Sequence, residues 1–224
     1  AFQATPTIAQ GTVTIDRSVP NQDTITVTGF DAIVDWVQTE SGGDALGFLT
    51  SGNTAVFQGA IGEPDFGIIN RVLPDTNGNM ALLDGTVISQ LQPAGGPALP
   101  GGYVVFFSPT GWIVGNNSSF NIGKLLITSL TPDPNSFINF ADIGGTLNLS
   151  TTPADTSLIT IQPGASITGT EEGSAFMVVA PQIDMQGTAD INGSTVYAAG
   201  EVVNLTMADG LFDIQIPLGT TVAS

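Results

Sequence analysis

The chain has 224 residues, 20 of them acidic and 3 basic, with no histidine or cysteine and a formal net charge of −17. Charged residues make up only 10%, against about 25% in an ordinary globular domain, while hydrophobic residues reach 42%. A core is therefore available, and the surface must be wetted by Ser, Thr, Asn, Gln and Gly. Arg17, Arg71 and Lys124 are the whole cationic supply, too few to displace counterions from phosphates or to hold an anionic bilayer, which excludes nucleic-acid binding and electrostatic attachment to lipid. Lack of His and Cys excludes zinc sites built on them, histidine-based triads and thiol chemistry. No cofactor and no metal are expected.

In chain order, Ala1–Pro6 carries no basic start and no apolar run, and a first residue of Ala rather than Met is compatible with a leader already removed. No stretch reaches transmembrane length, so membrane insertion is not expected. The segments 12–15 and 24–28 read as strands that could cap one end of the fold. Three breaker-rich runs, 39–44, 93–102 and 131–136, read as exposed loops.

Between and after them, apolar residues recur two apart. Examples are Thr24–Thr28, Gly145–Leu149, Ile159–Ile161, Ile183–Met185, Asn204–Met207 and Phe212–Ile216. That is the pattern of half-buried strands, and 28 glycines and 14 prolines leave little room for long helices. The expected class is all-β. Leu147, Ala165, Ile183 and Val203 begin comparable alternating pairs at separations of 18, 18 and 20, and Ile159, Met177 and Val196 follow at 18 and 19. A period near 18–20 residues suggests one turn of a parallel β-helix, a solenoid in which each coil stacks on the last at about 4.8 Å. The final strand has no capping helix after it, from which the natural chain is expected to continue into further coils.

The ordered motifs of the chain also resemble a family. Ile68-Ile69-Asn70-Arg71-Val72 is similar to an Ile-Leu-Asn-Arg-Val element, and Asp84-Gly85-Thr86-Val87 to an Asp-Gly-Thr-Ile element. Ser108-Pro109-Thr110-Gly111 stands where that family has Asn-Pro-Asn-Gly, with both asparagines replaced, and Phe120-Asn121-Ile122-Gly123 matches its later Gly-containing segment. Pro163–Ile167, Val178–Pro181, Gly187-Thr188, Ala198–Glu201 and Leu205 continue the series. The chain resembles, from about Asp23 to Met207, the secretion domain at the N-terminus of filamentous-haemagglutinin-like exoproteins of two-partner secretion.

The resemblance implies a right-handed parallel β-helix with an N-terminal cap and extra-helical elements, and residues 1–224 as a single domain at the start of a longer exoprotein. It implies a non-enzymatic role: targeting that exoprotein, through the periplasm, to an outer-membrane β-barrel transporter with periplasmic recognition domains, and nucleating folding at the cell surface. The product would be secreted or held on the bacterial surface. The residues it points to for recognition are Asn70, Arg71, Ser108, Pro109, Gly111, Asn121 and Gly123. A surface adhesin or fibre module contacting host or cell-surface glycans or proteins is the alternative. A carbohydrate-active β-helix enzyme ranks below both.

Each candidate also has a plainer reading. Ser108-Pro109-Thr110-Gly111 has the composition of a β-turn, with Pro presetting φ and Gly permitting a positive value. Asn116, Asn117 and Asn121 suit amide contacts stacked at coil corners. The acid pairs Glu171/Glu172, Asp31/Asp35, Asp184/Asp190 and Asp209/Asp213 would serve a hydrolase only if two carboxyls faced one cleft, and solvated surface is the simpler account. Phe106, Phe107, Phe120, Phe176 and Phe212 read as core, as do Trp36 and Trp112, whose indole N–H groups need acceptors. Arg71 is expected to be a buried or half-buried cation paired with an acid such as Asp84.

Overall fold

The computed structural model describes residues 1–39, 45–140, 145–208 and 211–221. It opens on β1 (Ala4–Asp16) and β2 (Gln22–Gln38), a long antiparallel pair. From β2 the chain visits three ladders in turn. Residues 22–27 of β2 enter the first, residues 31–37 the second, and β3 (Ala45–Leu49) starts the third. The next circuit repeats the order with β4 (Thr54–Gly59), β5 (Gly67–Leu73) and β6 (Met80–Leu83). Then come β7 (Thr86–Leu91), with the short β8 (Leu99–Pro100) folded back on it, β9 (Tyr103–Phe107) and β10 (Trp112–Val114).

The fourth circuit starts with β11 (Ser119–Asn121) and β12 (Lys124–Thr128). It leaves the ladders for β13 (Thr131–Pro132), α1 (Pro134–Phe140) and β14 (Thr146–Ser150), and returns with β15 (Leu158–Ile161). The long β16 (Ser166–Ala180) again serves the first two ladders and β17 (Gln182–Met185) the third. β18 (Thr188–Ala199) pairs along β16, and β19 (Val202–Ala208) and β20 (Leu211–Leu218) join β14 and β13 in an antiparallel sheet.

Within the three ladders, successive circuits pair only in parallel. The architecture is all-β, mainly parallel and β-helix-like. The strand path β2-β4-β7-β11-β16-β12-β9-β5 returns to β2, an eight-strand ring that closes because β2 and β16 each run through two ladders.

The repeat length differs from the expected 18–20 residues. Along the first ladder Asp23, Ala55, Val87, Phe120, Ile167 and Ala189 stand in register, so the circuits take 32, 32, 33, 47 and 22 residues. Of the expected series only Met177 and Val196, 19 apart, are stacked partners. Leu147 lies in the excursion and faces Leu205 across an antiparallel pair. Alternation reports the two-residue pleat of a strand, whereas corner loops of unequal length set the circuit.

Inward side chains of the three ladders make the main core, including Phe57, Phe106, Trp112, Phe120 and Phe176, all at most 1% exposed. A second core forms on the outer face of the second ladder. There Ile33, Ile69, Val105, Leu126 and Met177 meet Phe137 of α1, Leu147 and Leu149 of β14, and Val203 and Leu205 of β19. Strands covered on both faces read as unbroken apolar runs, which is why Tyr103–Phe107 is buried at every position. The run 131–136 is therefore no free loop. Asp133 accepts the Asn135 N–H through its side chain and Pro134 takes the first helical position, a helix start that drives Phe137 against Tyr103.

Candidate functional site

The sequence-assigned residues fall into two groups at opposite ends of the second ladder's strands. Asn70 and Arg71 are neighbours on β5. Asn70 points inward between Val34 and Phe106, fully buried, where it accepts the Trp36 indole N–H at 3.0 Å and donates to the Val105 carbonyl at 3.2 Å. It is the acceptor the Trp36 indole needs. Arg71 points outward, and the parallel register places Asp35 beside it. The guanidinium grips that carboxylate with Nε at 2.6 Å and Nη2 at 2.9 Å, the two side chains remaining 29% and 23% exposed.

The expected Asp84 partner is thus corrected to Asp35. Asp84 instead sits at the corner entering the first ladder, accepting the backbone N–H of Asn117 at 2.9 Å and its side-chain amide at 3.0 Å.

Arg71 is in register with Phe107, so the segment 108–111 begins beside it on the next strand. The Gly111 N–H donates to the Ser108 carbonyl at 3.1 Å, and the Ser108 and Thr110 hydroxyls lie 3.0 Å apart. Gly111 holds φ at +91°, and a Cβ there would come within 2.2 Å of the Leu158 carbonyl oxygen. The turn is thus locked against the start of β15, with Trp112 donating its indole N–H to the Thr128 carbonyl at 3.2 Å.

Asn121 and Gly123 lie at the opposite corner, one five-residue strand away, roughly 16 Å. Asn121 is exposed on β11. The Gly123 N–H donates to the Ser89 hydroxyl at 3.0 Å, and a Cβ on Gly123 would stand 2.5 Å from the Gly101 Cα. Gly123 and Lys124 border a shallow cleft of about 160 Å³ with Asp65, Glu171 and Glu172. The structure unites Asn70, Arg71 and the 108–111 turn, and leaves Asn121 and Gly123 outside that group.

Amides do stack across circuits, though not the asparagines. Asn116 and Asn117 bond each other within one corner. Gln90 and Gln92 both donate to Gln58 Oε1, at 3.1 and 2.6 Å, and Gln58 donates to the Thr26 hydroxyl at 3.0 Å. A search at the 32-residue circuit, which separates Gln58 from Gln90 and Thr26 from Gln58, would have found them. Glu201 was also missed as a joint. Its enclosed carboxylate accepts from Ala154 N, Thr221 N and the Thr221 hydroxyl, fastening the excursion to the last described residues. Those Thr221 bonds hold its carboxyl below the ordinary range.

Of the acid pairs, Asp35 is spent on Arg71, Asp184 accepts the Gln186 amide, and Asp209 lies outside the described residues. Among the described residues no three His, Cys, Asp or Glu side chains are grouped as metal ligands, and no helix is long and apolar enough to cross a membrane.

Among the described residues, β17 and the first part of β18 have ladder partners on one side alone, and inward-facing Ile183, Met185 and Ile191 are only partly buried against the core.

No family model matches the chain, and no curated protein matches it. Among solved structures, the secretion domain of HMW1 from Haemophilus influenzae superposes with a TM-score of 0.65 over 99% of this chain, at 17% identity. This chain shares the fold of a secretion domain. It spans half the length of that structure. The likeness suggested by the motifs at residues 68–72, 84–87 and 108–123 is therefore met at the level of architecture.

Proposed function

We propose that residues 1–224 form a non-enzymatic secretion domain of the two-partner type, the N-terminal part of a longer exoprotein. The observation that carries this reading is the fold match to a secretion domain over 99% of the chain. In this reading the ladders wind as a right-handed parallel β-helix, β1 is its N-terminal cap, and the sheet of β13, β14, β19 and β20 with α1 is the extra-helical element. The chain crosses the periplasm extended, is captured by the periplasmic domains of an outer-membrane β-barrel transporter, and folds as it emerges at the cell surface.

The physics of the ladder supports vectorial folding. Each circuit pairs with its predecessor, so stability accrues through nearest-neighbour interfaces, and folding can proceed in the order of emergence. Stacked positions repeat at about 4.8 Å, where two like charges repel by about 0.9 kcal/mol even at the dielectric of bulk water. A chain with 10% charged residues avoids such columns, and the Thr26–Gln58–Gln90 line shows neutral polar stacking in their place.

Within this reading the transporter meets Asn70, Arg71, Ser108, Pro109, Gly111, Asn121 and Gly123 as segments of the extended chain, and folding afterwards gathers the first five at one corner and buries Asn70 and Ser108. The test is co-expression of the chain, behind an export signal, with and without a transporter encoded beside it. Folded chain in the medium that depends on the transporter supports the proposal; equal release without it refutes it.

A further inference from the structure

The sequence holds two Asn-Gly pairs, Asn77-Gly78 and Asn192-Gly193. A glycine after asparagine leaves the next backbone nitrogen open to the side-chain amide, because no Cβ shields it. Both pairs are exposed, so exposure does not separate them; their backbones do. Asn77 lies at the corner between β5 and β6, in a turn closed by a bond of 3.4 Å from the Gly78 N–H to the Asp75 carbonyl. That is beyond the usual range of about 2.7–3.2 Å, and the Gly78 nitrogen is weakly held. Gly78 has φ at +70° and nothing within 4 Å of its Cβ position. The Asp75 carboxylate anchors the corner beyond it, accepting the Asn79 backbone N–H at 2.9 Å and its side-chain amide at 3.0 Å. Among the described residues, nothing hydrogen-bonds the Asn77 side chain.

Asn192 is held instead. Its Nδ2 donates to the Thr170 carbonyl at 3.0 Å. It lies inside β18, where Ile191 is in register with Gly169 and Gly193 with Ser174 of β16. A Cβ on Gly193 would overlap the Ser174 carbonyl oxygen. The backbone there has no room to turn its nitrogen onto the Asn192 side chain while the ladder stands.

We infer that Asn77 is a self-modification site of the folded molecule, converting in water to aspartate and isoaspartate, while the β16–β18 ladder protects Asn192. The Gly78 nitrogen gives its proton to water or hydroxide and attacks the Asn77 Cγ. That N–C bond forms, the Cγ–Nδ2 bond breaks, and the amide nitrogen leaves as ammonia. Water then opens the cyclic imide at either carbonyl. One opening leaves aspartate on the original main chain; the other routes the main chain through Cβ as isoaspartate. The step consumes water alone and changes no oxidation state. Each product places a new carboxylate two residues from Asp75, and isoaspartate adds a methylene to the main chain. The open space around Gly78 accommodates that carbon, so the molecule stays folded and this corner records its age.

The experiment incubates the full chain in mildly alkaline buffer, folded and in urea, then digests it and reads both pairs by mass spectrometry. Labelled methyl transfer by an isoaspartyl carboxyl methyltransferase identifies the isoaspartate. In the folded chain, conversion at Asn77 should outrun that at Asn192 by at least about tenfold, because Asn192 reacts only through local opening of its ladder. In urea the two rates should converge. Gly78→Ala should slow conversion at Asn77 severalfold and leave Asn192 unchanged, and the urea arm reads this whether or not the variant folds. Comparable rates at the two pairs in the folded chain would overturn the inference, as would an Asn192 rate that urea does not raise. These outcomes are independent of whether the chain is a secretion domain.

Discussion

Gly111 allows two contributions to a turn to be separated. Its φ of +91° disfavours any L side chain, by roughly 1–2 kcal/mol. Its Cβ position also lies 2.2 Å from the Leu158 carbonyl oxygen. Relieving that overlap requires moving Leu158, the first residue of β15, whose next residue Ile159 is in register with Trp112. Gly111→Ala should therefore cost about 3–5 kcal/mol, in the range of other severe core or backbone lesions. At about 2–4 °C per kcal/mol for a chain of this size, melting falls by roughly 6–20 °C. Gly29 has nearly the same φ, +87°, and nothing within 4 Å of its Cβ position, so Gly29→Ala should lose only the conformational part, about 1–2 kcal/mol. Paired thermal and urea melts decide. Equal losses at the two positions would refute the contact argument, and no loss at Gly111 would refute the placement of the turn.

Asn70→Ala removes the acceptor of the buried Trp36 N–H and should destabilise by about 2–3 kcal/mol in urea titration, with Trp36 fluorescence reporting the site; a loss below half of that would mean that the indole finds another partner. Arg71→Ala breaks a half-exposed pair and should cost at most about 1 kcal/mol, less still in high salt; a large, salt-insensitive loss would contradict the exposure seen for Arg71 and Asp35. Because its folded carboxyl pKa is lowered from 4.5 by the Thr221 bonds, Glu201 contributes stability above its unfolded value, and that stability is lost as pH falls through the folded value. Glu201→Gln should flatten the melting-temperature profile in that acid window alone, and an unchanged profile would show that the carboxylate is not coupled to folding.

The strand class was legible because alternation survives wherever a ladder strand keeps one wet face, as in Thr24–Thr28 and Ile159–Ile161. It is lost in Tyr103–Phe107, where α1 and β14 cover the outer face. The circuit length was hidden for a different reason. The first three circuits take 32, 32 and 33 residues, far beyond the reach of two-residue alternation, and the later ones depart to 47, through the α1 and β14 excursion, and 22. The role of Trp36 and Trp112 as core residues with paired indoles followed from residue type. The partner of Arg71 did not, since Asp35 is its neighbour through ladder register and lies 36 residues away in sequence. Nothing local to Phe2 marks it as core. The carboxylate that accepts its N–H, Asp23, lies 21 residues downstream, and only folding brings the two together.

The central claim is that this chain is a secretion domain read by a transporter. The most direct measurement is the amount of protease-resistant chain in the medium, relative to the periplasm, with an intact transporter and with one lacking its periplasmic domains. The account predicts release with the intact transporter and periplasmic retention with the truncated one. Release that is indifferent to those domains, while the intact transporter still exports its own known partner, would contradict it.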